Sequence, residues 1–124
     1  MKKAKYHVVM DVSVEGTERW EGVLRNIENM RTELGPDNVE IEAVVYGKAW
    51  PMLARPEKGG LAELHPKVEA VVRLGVRVSM CENTMRRLKL TKADLMPFAT
   101  TVSSAMGELV RKQAEGWAYL KPGP

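Results

Sequence analysis

Five short runs of β-branched and other apolar residues, separated by segments with helical spacing, constrain this chain more than any other feature. The runs are "YHVVMDV" at 6–12, "VEIEAVVY" at 39–46, "VRVSM" at 76–80, "ATTV" at 99–102 and a marginal "WAYLK" at 117–121. After the first, Thr17 has the chemistry of a helix cap, and Trp20, Val23, Leu24, Ile27, Met30 and Leu34 fall on one stripe. Gly35-Pro36 then stops the helix. "AWPMLA" predicts a turn of helix and "RPEKGG", with its Gly59-Gly60 pair, a flexible loop. A second helix carries Pro66 in its first turn and turns Val68, Val71, Val72 and Leu74 inward, with Gly75 as its end. A short helix is expected from Glu82 or Asn83. Thr91 and Asp94 have capping-box spacing. Ser103 or Ser104 caps a last helix, with Met106, Leu109 and Val110 inward.

Strands alternating with helices require crossover connections, so the expected fold is a three-layer α/β/α domain around a mainly parallel five-stranded sheet. The first half of strand 2 alternates apolar and acidic residues through Val39, Glu40, Ile41 and Glu42. Such alternation marks a face that meets solvent and predicts an edge strand. With strand 2 at the edge, the strand order is the flavodoxin-like 2-1-3-4-5. Its topological switch point, where ligands of open α/β sheets bind, lies beyond the carboxyl ends of strands 1 and 3. Strand 1 ends near Asp11 to Ser13, and strand 3 ends at Cys81.

The 124 residues suit one domain, spanning 1–124. A chain of this length buries roughly two-thirds of its unfolded surface without a disulfide or metal staple. The single cysteine cannot pair internally, which predicts a reducing, cytoplasmic home. The N-terminal lysines precede an apolar run that is short and broken by Asp11, unlike a secretory signal. No segment approaches the ~20 apolar residues of a membrane span. The net charge of +3 invites a nucleic-acid reading. Acids and bases alternate, however, and the small basic clusters (Lys2, Lys3 and Lys5; Arg86, Arg87, Lys89 and Lys92) have no interleaved aromatics, so no nucleic-acid partner is expected. The terminal "PGP" reads as a frayed tail.

Cys81 has two readings. A helix beginning just after it aims amide groups at the sulfur and lowers its pKa, with Arg86 and Arg87 adding positive charge and Glu82 opposing. Alternatively, it is a small buried apolar residue, as free cysteines often are. Around it, Asn83 and Thr84 have donors for an anionic ligand, or are simple caps. Asp11 and Ser13 stand at the crevice as ligand-binding candidates, and Arg86 is a further one. His7 and His65 form no metal pattern with Cys81, so no metal is expected. Neither a Walker A loop nor G-x-G-x-x-G is present, and no cofactor is expected. Ser104, His65 and Asp11 lack the nucleophile elbow of a hydrolase.

The stretch "GVRVSMCENTMRR" has the form Gly-Val, four residues, Cys, four residues, Arg-Arg. It resembles the cysteine region of the DsrE/DsrF-like family, small α/β proteins of sulfur metabolism. "WEGVLRNIENM", with Asn26 and Asn29, resembles the family's first helix, "VEIEAVVYG" its second strand, and "LVRKQAEGWAYLKP" the C-terminal end of its small stand-alone members. The resemblance covers nearly the whole chain. It implies a sulfur carrier or sulfurtransferase-like protein in which Cys81 accepts sulfur as a persulfide from a donor protein and passes it to an acceptor. It also implies a homo-oligomer, a trimer or hexamer, or association with sister subunits. The alternative is a non-catalytic oligomeric module that binds a small ligand or anion in the same crevice, with Cys81 passive.

Overall fold

The computed structural model describes residues 3–122. Its elements are β1 (Tyr6–Val12), α1 (Thr17–Leu34), β2 (Val39–Val45), α2 (His65–Arg73), β3 (Arg77–Cys81), α3 (Glu82–Leu88), β4 (Thr100–Val102), α4 (Ala105–Ala114) and β5 (Ala118–Leu120). Short 3-10 turns occupy Gly47–Met52, Pro56–Lys58 and Lys92–Asp94. The five strands form one sheet in the order β4-β3-β2-β1-β5, and every pairing is parallel. The α/β class, the strand count and the parallel sheet agree with the sequence. The order does not: β2 is the central strand, not an edge, and 2-1-3-4-5 is corrected to 4-3-2-1-5.

The two faces of the sheet explain the misreading. On the first face, Val8, Met10, Val12, Ile41, Ala43, Val45, Val78 and Met80 pack against Trp20, Val23, Leu24 and Ile27 of α1 and Val68 and Val71 of α2. Odd and even strand positions point to opposite sides. The second face therefore holds Val9, Val44, Cys81 and Val102, and a single helix, α4, packs there through Ala105 and Leu109. One helix cannot roof five strands. The lower part of that face is polar, with Glu40, Glu42, Ser79 and Thr100, and this produces the alternation in β2. Glu42 is nevertheless only 1% exposed. Ser79 Oγ donates to its Oε2 at 2.7 Å, and Arg77 Nε stands 3.8 Å from the same oxygen.

Several local expectations hold. Ser104 Oγ accepts from the Gly107 N–H at 3.1 Å and caps α4. The Thr91 N–H donates to Asp94 Oδ2 at 2.7 Å. Others are corrected. Thr17 is the first residue of α1 and caps nothing; Gly16, with φ of 108°, makes the entry instead. Met106 and Val110 point outward, 53% and 66% exposed, because α4 turns Ala105, Glu108 and Leu109 to the sheet. Leu74 lies past the end of α2 and is also exposed. Of the terminal tail, Gly123 and Pro124 lie outside the described residues, as does Lys2; Pro122 is buried.

Connections set where a site can form. β3 runs into α3, whose Met85 packs in the first-face core, whereas β4 runs into α4 on the second face. Adjacent strands whose chains leave in opposite directions open a crevice at their carboxyl ends. The switch point is thus between β3 and β4, not between strands 1 and 3. Cys81, at the end of β3, still borders it.

Candidate functional site

Cys81 ends β3 in extended backbone and is the N-cap residue of α3. It is 4% exposed and forms part of the floor of an open cleft of about 340 Å³. Tyr46, Asn83, Thr84, Arg87, Ser104, Ala105 and Met106 complete the lining. Larger hollows, of about 460, 370 and 480 Å³, lie over exposed helix faces around Arg19 and Asn26, around Glu28 and Lys67, and around Glu69 and Leu74. None of them is lined by a cysteine, serine or threonine. The smaller cleft gathers the carboxyl ends of β2, β3 and β4 and the starts of two helices, so the chemistry lies there.

The sulfur is surrounded by donors. The Ala105 N–H, the first of α4, donates to Cys81 Sγ at 3.3 Å. Ser104 takes one of the unpaired amides at that helix start and the sulfur takes another. Thr84 is buried, and its Oγ1 accepts from the Gly47 N–H at 3.0 Å, which directs its own proton elsewhere. Burial pushes the Cys81 thiol up. The backbone N–H groups of Thr84, Ala105 and Asn83 and the Thr84 hydroxyl together outweigh it, and the thiol is held below its ordinary value.

The other sequence candidates divide. Asn83 is exposed, and its Oδ1 accepts from Arg86 along the surface of α3. Arg87, not Arg86, lines the cleft. Glu82 accepts from Thr101 Oγ1 at 2.8 Å and stands 4.0 Å from Lys92 Nζ, so its charge is engaged at the β4 side. Asp11 and Ser13 do not line the cleft; they lie at the end of β1 and just after it. Asp11 is 5% exposed, its Oδ2 accepts from the Tyr119 hydroxyl, and its Oδ1 has no partner among the described residues. Burial raises the Tyr46 phenol; Ser13 pulls it back, while Asp11 and Cys81 push it further up. Tyr119 is pushed up to about 12, chiefly by its bond to Asp11.

Tyr46, Tyr119 and Ala105 were not singled out by sequence reasoning. Tyr119 meets Asp11 across 108 residues, through the pairing of β5 with β1, which no local pattern announces. Tyr46 directly follows β2, and its position next to β3 is visible only once β2 is central. The histidines lie apart from this group. His7 packs on Trp117 with ring centroids 5.2 Å apart and tilted by 55°, and its Nε2 stands 3.5 Å from Glu40 Oε1. His65 is buried, with Nε2 3.4 Å from the Pro51 carbonyl oxygen. Among the described residues no three His, Cys, Asp or Glu side chains gather to hold a metal ion, and no helix is long and apolar enough to cross a membrane.

Comparison with known proteins gives the same architecture. The protein of unknown function MTH1491 from Methanobacterium thermoautotrophicum superposes with a TM-score of 0.85 at 32% sequence identity, covering 94% of this chain and 99% of its own. The ychN protein from E. coli superposes with a TM-score of 0.71 at 17% identity, covering 96% of this chain and 99% of its own, a likeness of fold. No curated protein matches the chain. The DsrE/DsrF-like family matches residues 5–122, from the entry to β1 to the end of the described structure, and it is to this family that the chain belongs.

Proposed function

We propose that this protein is a cytoplasmic sulfur carrier whose Cys81 accepts sulfur as a persulfide. The observation that carries the reading is the Ala105 N–H, 3.3 Å from Cys81 Sγ at the start of α4, in a ring of donors that favours thiolate. Thiolate is the attacking form in sulfur exchange. The step balances with a persulfide donor. The Cys81 thiolate attacks the outer sulfur of R–S–SH, a new S–S bond forms, and the donor's S–S bond breaks. The donor's inner sulfur leaves as a thiolate with the bonding pair. The proton stays on the transferred sulfur and is then lost to solvent. Cys81 sulfur is oxidised to the persulfide level and the donor is reduced to thiol.

The membership of the family, and the resemblance of "GVRVSMCENTMRR" to its cysteine region, support this reading over plain packing. The reading includes a homo-oligomer, a trimer or hexamer. Outward Met106 and Val110 beside the cleft, with Leu120 exposed on β5, supply apolar surface for it, and light scattering reads the subunit number.

One observation favours the second reading, a binding module with a passive cysteine: Cys81 is only 4% exposed. Intact mass after incubation with inorganic polysulfide separates the two. The expected result is a gain of whole sulfur atoms on wild type, absent in Cys81→Ser and reversed by reductant. No gain on the folded protein, with ready modification after unfolding, would assign Cys81 to packing and the cleft to the binding module.

A further inference from the structure

We infer that the Tyr46 hydroxyl is the hydrogen-bond donor for the terminal sulfur of a persulfide on Cys81, and that the buried Asp11 carboxylate, tethered by Tyr119, competes with that sulfur for its proton. This rests on the sulfur-carrier reading and assigns residues that reading does not use. Tyr46 lines the same cleft as Cys81. Asp11, at the end of β1, is buried with one oxygen occupied by the Tyr119 hydroxyl and the other without a partner among the described residues. A buried carboxylate oxygen without a donor is costly. Tyr46 follows β2, the strand that lies between β1 with Asp11 and β3 with Cys81.

The ring of donors already described ends at Cys81 Sγ itself. The Ala105 N–H bonds that atom, and a persulfide adds a second sulfur one bond further into the cleft. That outer atom carries the charge of the loaded form and needs a donor of its own. The groups facing Tyr46 are Asp11 and Ser13 from the end of β1, Cys81 from β3 and Tyr119 from β5. Arg87 of α3 shares the cleft, and α4 contributes Met106 and its cap Ser104, neither of them charged. Against an anionic sulfur, a phenol that stays protonated is a donor at every working pH. The single proton of Tyr46 has two acceptors open to it, Asp11 Oδ1, which has no donor among the described residues, and the outer sulfur once the site is loaded.

The test compares wild type, Tyr46→Phe and Asp11→Asn after loading with inorganic polysulfide, using iodoacetamide alkylation across pH read by intact mass. In Tyr46→Phe the loaded form loses a charge-assisted bond. Its alkylation midpoint is expected to move up by about one pH unit, a roughly tenfold loss of anion at a fixed pH. The unloaded thiol keeps its donors, and its midpoint is expected to stay close to that of wild type. Asp11→Asn removes the competing carboxylate, so its loaded midpoint is expected to move down instead, which keeps the inference testable if either variant folds poorly. Loaded profiles that superimpose in all three proteins overturn the role of Tyr46 while leaving the sulfur carrier intact. Wild type that takes up no sulfur overturns both.

Discussion

Thr84 uses both ends of its hydroxyl. The oxygen accepts the Gly47 N–H, and the proton is left for Cys81. Thr84→Val keeps the shape and removes both. Gly47 is half-buried, and its amide without an acceptor costs up to about 1–3 kcal/mol, so the melting temperature is expected to fall. The thiol, short of a donor, is expected to titrate higher and to react more slowly with iodoacetamide at neutral pH. Thr84→Ser is expected to restore both properties. An unchanged alkylation profile in Thr84→Val would leave the low thiol pKa to the backbone amides alone. At this scale the sequence was legible where neighbours in the chain are neighbours in space. Cys81, Asn83 and Thr84 form one strand-to-helix turn, and a cysteine before a helix start can be read directly. The reach of Tyr46 and Tyr119 toward Asp11 depends on strands that no local pattern pairs.

Elements were legible from periodicity and capping, and misleading where packing was thin. Met106, Leu109 and Val110 share the spacing of an inward stripe. Yet α4 lies over a sheet face whose lower half is polar, so Glu108 turns inward with Leu109 and the two apolar neighbours face out. The segment "RPEKGG" looked like a flexible loop for the opposite reason, since glycine pairs carry no packing signal. It is a 3-10 turn closed by the Gly60 N–H donating to the Arg55 carbonyl oxygen at 3.0 Å. A Cβ on Gly60 would stand 1.7 Å from the carbonyl oxygen of Ala54, whose own strand-like bridge joins Leu95. Backbone on both sides cannot yield easily. Gly60→Ala is therefore expected to cost about 3 kcal/mol or more, among the larger single-residue effects. Thermal or urea unfolding measures it. A loss below about 1 kcal/mol would mean that the turn relaxes freely.

For the whole molecule, the uneven roofing of the sheet fixes how stability responds to pH. Glu42 and Glu108 meet between β2 and α4. Burial, then Glu108, raises the Glu42 carboxyl above its usual value. For Glu108, burial raises the carboxyl, but Glu42, Arg111 and Lys112 outweigh it and the net direction is down. Such a pair holds one proton between two carboxyls. The signs follow from linkage. Between the ordinary value of 4.5 and its raised folded value, Glu42 binds more proton in the folded state, so its contribution is lost as pH rises through that window. Glu108 contributes stability above 4.5 that is lost as pH falls through its lowered value. His65, lowered by burial, contributes stability that is lost as pH falls below 6.5. Glu42→Gln isolates the first of these. The amide keeps an oxygen for Ser79 Oγ and supplies N–H groups to a charged Glu108, and it cannot ionise. The melting temperature of Glu42→Gln relative to wild type is therefore expected to climb as pH rises from 4.5 toward neutrality, while the acid limb set by Glu108 and His65 remains in both proteins. Calorimetry across that range reads the difference directly. A constant offset between the two curves would mean that Glu42 is ionised in the folded protein throughout, with Arg77 and Ser79 sufficient to hold its charge under a single covering helix.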